Sequence, residues 1–336
     1  MDIIMKKVAF LTILFSLIAC RIFQPLTSTE GVIAVVADGH GGAESDYIVL
    51  VTPNKFDAIN LTANLTTFTI GQLTWSPDGT WIAFENDFDI YKVKSDGTNL
   101  TNLTNSEAVD MNPAWSPDGT RIAFSSYANN QDGLYVMNAD GSSVALVFSA
   151  NSVYYPIWSP NGNKIAFNAK IDGNWEIVVI DGDGTNAQRL TNNSADDLVY
   201  DWSSDSRQLI FTSDRDGDEE IYVMNADGIN QIRLTYATGA DDYPDWEPNG
   251  NRIVFRSERD GNSNIYVMNS DGTNQTKLTV STNLDTRPKW SPDGTRIAYE
   301  SGPGIDSDIY VMNNDGTGQT RLTNSTWDER DIQWRP

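Results

Sequence analysis

Tryptophan recurs along this chain at a nearly fixed interval: Trp75, Trp115, Trp158, Trp202, Trp246, Trp290 and Trp334, at spacings of 40, 43 and then four times 44 residues. The sentence "WSPDGTRIAF" from Trp115 to Phe124 returns almost unchanged as "WSPDGTRIAY" from Trp290 to Tyr299. A catalytic motif is normally needed once. A small unit that cannot bury its own apolar face must be repeated until it has neighbours to stack on. The interval therefore constrains the fold more than any other feature of the sequence.

Within each interval short apolar runs alternate with turn dipeptides. Asp-Gly or Asn-Gly follows the tryptophan run at Asp78-Gly79, Asp118-Gly119, Asn161-Gly162, Asn249-Gly250 and Asp293-Gly294. A second set stands at Asp96-Gly97, Asp140-Gly141, Asp183-Gly184, Asp227-Gly228, Asp271-Gly272 and Asp315-Gly316. These dipeptides supply the positive φ of tight hairpins. Runs such as "RIAF", "IYVM" and "TRLT" are β-branched and aromatic, and too short for helices. Each unit reads as four antiparallel strands, a to d, at the repeat length of a β-propeller blade. Essentially no helix is expected after residue 30, and the shorter coils of a parallel β-helix fit poorly.

The blade count uses both ends of the chain. Six complete units start at Trp75 through Trp290, and the chain closes on "DIQWRP", a lone strand a around Trp334. Near the other end "VIAVVA", "DYIVLVT" and "AINLTAN" supply strands b, c and d without a tryptophan strand before them. Together these fragments make a seventh blade, so the expected fold is an all-β, seven-bladed propeller of four-stranded antiparallel blades, closed by the C-terminal strand. Closure leaves no open sheet edge where the ends meet. Leu26 in "FQPLTSTEG" is the competing candidate for the closing strand.

The motif pair "P-x-W-S-P-D-G-x-x-I-A-F" and "I-Y-V-M-N-x-D-G" resembles the WD40-like (PD40) repeat of the TolB β-propeller family, over nearly everything after residue 32. That family's namesake carries an α/β domain ahead of a six-bladed propeller. Here about a dozen residues separate Cys20 from the first strand. The resemblance implies a binding propeller of the cell envelope.

The N-terminus agrees with export. Met5-Lys6-Lys7 precedes the apolar run Val8–Ala19, too short for the ~20 residues that span a bilayer and patterned as a cleaved signal; either Met1 or Met5 can serve as the start. "LIAC", Leu17 to Cys20, resembles a bacterial lipobox, and Cys20 is the only cysteine. A lone thiol in an exported chain calls for an explanation, which lipid attachment supplies. The expected organisation is a lipoprotein signal at 1–19, a lipidated Cys20 with its tether at 20–31, and a propeller at 32–336, facing the periplasm or the cell exterior.

Charge narrows the partners. Removing residues 1–19 takes away Asp2, Lys6 and Lys7 and moves the formal charge from −23 to −24. Without a basic stripe there is nothing to neutralise phosphates, which excludes nucleic acid. A protein or peptide partner, with a basic one favoured by charge, and the membrane through Cys20 are the expected contacts, and a closed ring is expected to stand as a monomer.

Chemistry has little material. His40 is the only histidine, so neither a three-histidine metal site nor an obvious Ser-His-Asp triad can be assembled. No nucleophile elbow is present. No catalytic residue and no cofactor is assigned. "DRDGDEE" places Asp214, Asp216 and Asp218 in one turn, a weak metal candidate whose spacing departs from an EF-hand. The repeated tryptophans are expected in the core. Binding belongs to the variable crossovers between strand d and the next strand a. There the sequence offers Asp196, Asp197, Tyr200, Asp201, Asp241, Asp242, Tyr243, Asp245, Arg287, Lys289, Trp327 and Asp328. Asp196, Asp197, Asp241 and Asp242 are expected to form one exposed acidic patch. The competing readings are a glycan- or peptide-acting enzyme using Asp201 and Asp245 as acid and base, and a sugar-binding module using Tyr154, Tyr155 and Tyr243.

Overall fold

The computed structural model describes residues 31–38, 46–53, 55–62, 69–127, 131–304, 306–324 and 328–336. Cys20, Leu26, His40 and Trp327 lie outside them. The compact unit runs from Gly31 to Pro336. Among the described residues 28 strands form seven four-stranded sheets, and there is no helix.

Blade 1 unites the two ends of the chain. β28 (Asp328–Trp334) pairs with β1 (Ile33–Asp38), followed by β2 (Tyr47–Thr52) and β3 (Lys55–Asn60). The pairing is antiparallel, Ile33 opposite Trp334 and Ala37 opposite Glu329. Ring closure by the C-terminal strand follows the expectation from Trp334. Blades 2 to 7 span Ile70–Asn102, Val109–Ser149, Val153–Arg189, Asp197–Arg233, Asp241–Lys277 and Leu284–Arg321, each four consecutive strands in a simple meander. Their first strands, β4 (Ile70–Trp75), β8 (Val109–Trp115), β12 (Val153–Trp158), β16 (Asp197–Trp202), β20 (Asp241–Trp246) and β24 (Leu284–Trp290), touch one another in turn and meet β28 to complete the circle. Strand a of every blade therefore lines the central axis.

The repeated motif has a physical reading at each position. Ser76 Oγ donates to Asp78 Oδ1 and accepts from the Trp81 N–H, and Asp78 Oδ1 accepts from Thr80, with the same triplet at Ser116, Asp118 and Thr120 and at Ser291, Asp293 and Thr295. The glycine then turns the chain, at φ 64° in Gly79 and 71° in Gly119. These bonds hold the Asp118 carboxyl at about 2, the Ser116 hydroxyl first and the Thr120 N–H second.

The outer strand is shorter than the runs "TRLT" suggest, two residues in five of the blades, as at Thr320–Arg321. Just past the outer strand a threonine hydroxyl accepts an N–H near the start of strand c: Thr62 for Ile48, Thr104 for Ile90, Thr191 for Ile177, Thr235 for Ile221, Thr279 for Ile265 and Thr323 for Ile309. The N-x-T matches at this strand serve the same end, since Asn60 and Asn102 accept from the N–H of Thr62 and Thr104.

The tryptophans pack between blades, as expected from their one-per-blade spacing. All seven are at most 9% exposed. Where the indole N–H is paired, it donates to the inner strand of the preceding blade: Trp158 to Ala114 O, Trp202 to Ile157 O, Trp334 to Lys289 O and Trp75 to Gln333 O, each at 3.0–3.1 Å. The seam between first and last blade thus uses the same contact as the interior seams.

Candidate binding site in the central channel

Each inner strand carries an irregularity just before its tryptophan. The ladder slips between Met111 and Ala114, Tyr154 and Ile157, Asp242 and Asp245, and Thr286 and Lys289. The residue three before the tryptophan then takes a left-handed backbone: Asn112 at φ 56°, Tyr155 at 55°, Tyr243 at 48°, Arg287 at 48° and Asp331 at 59°. For bulky side chains this is a genuine outlier, costing on the order of 1–3 kcal/mol each. Proline follows in four cases, Pro113, Pro156, Pro244 and Pro288, which suits a bulge because no ladder N–H is needed there.

The bulges gather these side chains at the axis. Tyr155 of blade 4 is raised by desolvation and then by the charges of Tyr243 and Asp331, while Arg287 opposes the shift. Groups from blades 4, 6, 7 and 1 thus share one electrostatic neighbourhood across the channel. Tyr243 lies under two guanidinium groups, Arg256 and Arg287, each 5.3 Å from its ring, with Tyr200 edge-on at 5.7 Å. Arg287 reaches Glu300 Oε2 at 2.9 Å. Burial lifts Glu300 to about 7 against the pull of Arg287. Beyond Tyr155, Tyr154 packs on Trp175 at 5.2 Å and on Tyr127 at 5.9 Å, an aromatic continuation of the rim.

One step further along, directly before each tryptophan, lies a second tier: Thr74, Ala114, Ile157, Asp201, Asp245, Lys289 and Gln333. Its charged arc is tightly tied. Asp201 accepts from the N–H of Trp202 at 2.8 Å and, through its other oxygen, of Trp246 at 3.2 Å. Asp245 accepts from the Trp290 N–H at 2.8 Å and from Lys289 Nζ at 2.7 Å. These carboxylates strap neighbouring blades together. Desolvation, and next the charge of Asp245, raises Asp201 to about 7, with Lys289 pulling the other way. Desolvation likewise raises Asp331 to about 6, although Leu73 N–H donates to its Oδ2 at 2.6 Å. The channel is lopsided, with alanine and isoleucine on one arc and acids and lysine on the other.

Of the twelve residues expected on a binding face, Tyr243, Asp245, Arg287, Lys289 and Asp201 converge here, with Tyr200 behind them. The acidic patch does not form as expected. Asp197 and Asp241 are fully buried and Asp242 is 3% exposed. Asp197 pairs with Arg215 at 2.8 Å, Asp241 with Arg259 at 2.7 Å, and Asp242 with Arg256. The expected patch matches Asp196 with Asp241 and Asp197 with Asp242, a spacing of 45 that is one residue out of register. The blade period of 44 aligns Asp197 with Asp241, and both stand opposite a serine, Ser213 and Ser257. A slip by one residue sends a side chain to the other face of a strand. Only Asp196 is exposed, and it accepts from the Trp175 N–H. Asp328 is held by Ser307.

The acidic turn is likewise dispersed. Asp214 accepts from the Asp196 N–H, Asp216 bonds Tyr222 and Arg233, and Asp218 accepts from the Gly239 N–H. Among the described residues no group of three or more His, Cys, Asp or Glu is placed to hold a metal. Sequence reasoning missed Asn112, Asp331 and Glu300, although the x-P-x-W pattern marks most of the bulges that build the upper tier.

The TolB beta propeller domain model matches residues 85–243 and 237–336. The chain belongs to the TolB β-propeller family. No curated protein matches it. Among solved structures, TolB from Acinetobacter baumannii is similar at 20% identity over 90% of this chain and 83% of that one, with a TM-score of 0.60. An oligogalacturonate lyase from Vibrio parahaemolyticus shares 13% identity over 85% and 92%, TM-score 0.64. A puromycin-hydrolyzing peptidase from Mycobacterium tuberculosis shares 14% over 83% of this chain, which spans 50% of that protein, TM-score 0.66. At these identities the likenesses show the fold alone, and a fold does not by itself fix a function.

Proposed function

We propose that this TolB-family propeller is an exported, lipid-anchored protein of the bacterial cell envelope that holds an extended protein or peptide segment at its channel mouth without turning it over. The observation that carries the reading is the ring of left-handed residues, Tyr155, Tyr243, Arg287, Asp331 and Asn112. Strain is kept where the surrounding structure fixes it and is concentrated at ligand clamps. A rim of tyrosines and one arginine is the composition of protein-binding hot spots. The non-catalytic reading is supported by Asp201 and Asp245, whose oxygens are occupied by the N–H groups of Trp202, Trp246 and Trp290 and by Lys289. An acid and base need oxygens turned to substrate. Within one chain the ring closes on itself, so a monomer is the proposed state. Among the described residues no helix is long and apolar enough to cross a membrane, and the anchor is assigned to Cys20.

The test is affinity capture from envelope extract with the full chain and a Tyr155→Asn variant, asparagine being among the non-glycine residues that best tolerate this backbone. A partner retained by the wild type and lost by the variant is the expected result. Turnover in a panel of glycan and peptide substrates, or a partner captured equally by both proteins, overturns the reading.

A further inference from the structure

The channel wall contributed by blades 1, 2 and 3 holds more acceptors than donors. Asn112, 6% exposed, gives its backbone N–H to the Glu85 carboxylate and its side-chain nitrogen to Gln72 Oε1 at 3.3 Å. Its Oδ1 is buried and meets no donor. Glu85 senses Asp331 electrostatically, and Asp331 stands on β28, the inner strand next to β4 and Gln72. The cations nearby bond other acceptors, although the charge of Arg330 acts on Glu85 and those of Lys289 and Arg287 act on Asp331. Arg330 is bound to Asp38 and to Ile70 O, with Asp46 at 3.6 Å. Arg287 pairs with Glu300 and Lys289 with Asp245.

Nothing in the fold explains why Asn112 Oδ1 should be left bare. A buried acceptor without a donor carries its full desolvation cost, and such atoms in native structures call for a reason. Here the Glu85 carboxylate and the Gln72 amide carbonyl are bonded to the same residue and Asp331 acts on Glu85, so the missing group is a donor with positive charge. Lysine and arginine side chains are donors only. We infer that this wall seats one lysine or arginine side chain of the bound segment, its N–H groups meeting Asn112 Oδ1 and its charge facing Glu85 and Asp331. The assignment rests on the channel-mouth reading above and specifies its chemistry. An alternating segment would lay its basic residue here and its apolar neighbours along Ala114 and Ile157.

The probe is the blocked tripeptide acetyl-Lys-Lys-Lys-amide, titrated into the full-length 15N-labelled chain while the indole N–H signals of Trp75 and Trp115 are followed. Saturable shifts are expected with this peptide and none with its Nε-acetylated form. Asp331→Asn, which preserves shape and an acceptor for Leu73, and Asn112→Gly, which suits the left-handed backbone, should each weaken binding about tenfold or more. Asp118→Asn and Asp140→Asn on the Asp-Gly turn face remove equal charge and should leave it unchanged. Wild-type titration by both channel variants, or equal losses in the turn-face controls, overturns the inference. Capture of an envelope partner through Tyr155 without tripeptide binding refutes this seat alone. Tripeptide binding without such capture refutes the broader reading and leaves the seat standing.

Discussion

Replacing Trp334 by alanine tests whether the ring is closed where the two ends meet. Trp334 is 8% exposed and belongs to the core cluster that joins Ile33, Val35, Ala37, Val49 and Val51 of blade 1 to Ala298, Ile309, Val311 and Leu322 of blade 7. Its indole N–H reaches Lys289 O at 3.0 Å. A tryptophan buries about 150–250 Å², which at about 25 cal/mol per Å² corresponds to roughly 4–6 kcal/mol. Alanine retains part of that burial, and Trp→Ala changes in cores cost about 3–5 kcal/mol, so about 4 kcal/mol is expected. Trp202, 2% exposed at an interior seam and bonded to Ile157 O at 3.1 Å, is the internal standard. Urea unfolding of the full chain, read by midpoint and slope, should show comparable losses for Trp334→Ala and Trp202→Ala. A loss below about 1 kcal/mol at Trp334, the size of a surface change, beside a full loss at Trp202 would mean that another segment closes the ring and would refute the argument.

Four further outcomes are expected. Asp241→Asn leaves Arg259 without its buried partner and should cost about 3–5 kcal/mol, whereas exposed Asp196→Asn should stay within about 0.5 kcal/mol; equal midpoints for the two would contradict the burial. Stability should peak in mildly acid solution, read as the urea midpoint across pH. Asp242 and Asp331 are raised to about 6 and Asp201 and Glu300 to about 7, so their contribution is present below the unfolded carboxyl values and lost as pH rises through 6 to 7. The turn aspartates are lowered, Asp118 to about 2, so theirs is lost as pH falls below about 4; a midpoint rising steadily to pH 9 would refute the assignment. Tripeptide affinity at the Asp331 wall should strengthen as pH rises through 6, since only the ionised carboxylate attracts the ammonium, and a flat profile would speak against Asp331. Cys20→Ser should abolish palmitate labelling and release the protein from membranes, and a labelled variant would disprove the lipobox.

The fold was almost entirely legible because its determinants are local and repeated. Ser-Pro-Asp-Gly and Leu-Thr solve problems inside one blade, and the tryptophan recurs once per blade at the seam with its neighbour, so the repeated solutions can be read from the interval alone. Blade 1 was legible for the same reason, as a strand a at one end of the chain and strands b to d at the other. The candidate site was only half legible because it is made between copies. Asp201 follows from its place before Trp202, but its function as a strap depends on the N–H of Trp246 one blade away. Asp196 and Asp197 look alike in sequence, and one residue of register decides that the first is exposed and the second buried against Arg215.

Departures from the repeat are therefore more informative about function than the repeat itself. At the position before the tryptophan, threonine, alanine and isoleucine in blades 2 to 4 give way to Asp201, Asp245 and Lys289 in blades 5 to 7. A ring needing only closure would tolerate the same small residue throughout. Instead three blades commit charge to a desolvated channel, and raised carboxyls such as Asp201 and Asp331 register the cost. Above them, blades that could have continued as flat strands take left-handed bulges at Tyr155, Tyr243 and Arg287. Both departures lie on the axis, where Asp201 and Asp245 also tie each blade to the next. A cost concentrated in one place and offset by the stability of the surrounding ring is what a binding site adds to a scaffold that folds without it.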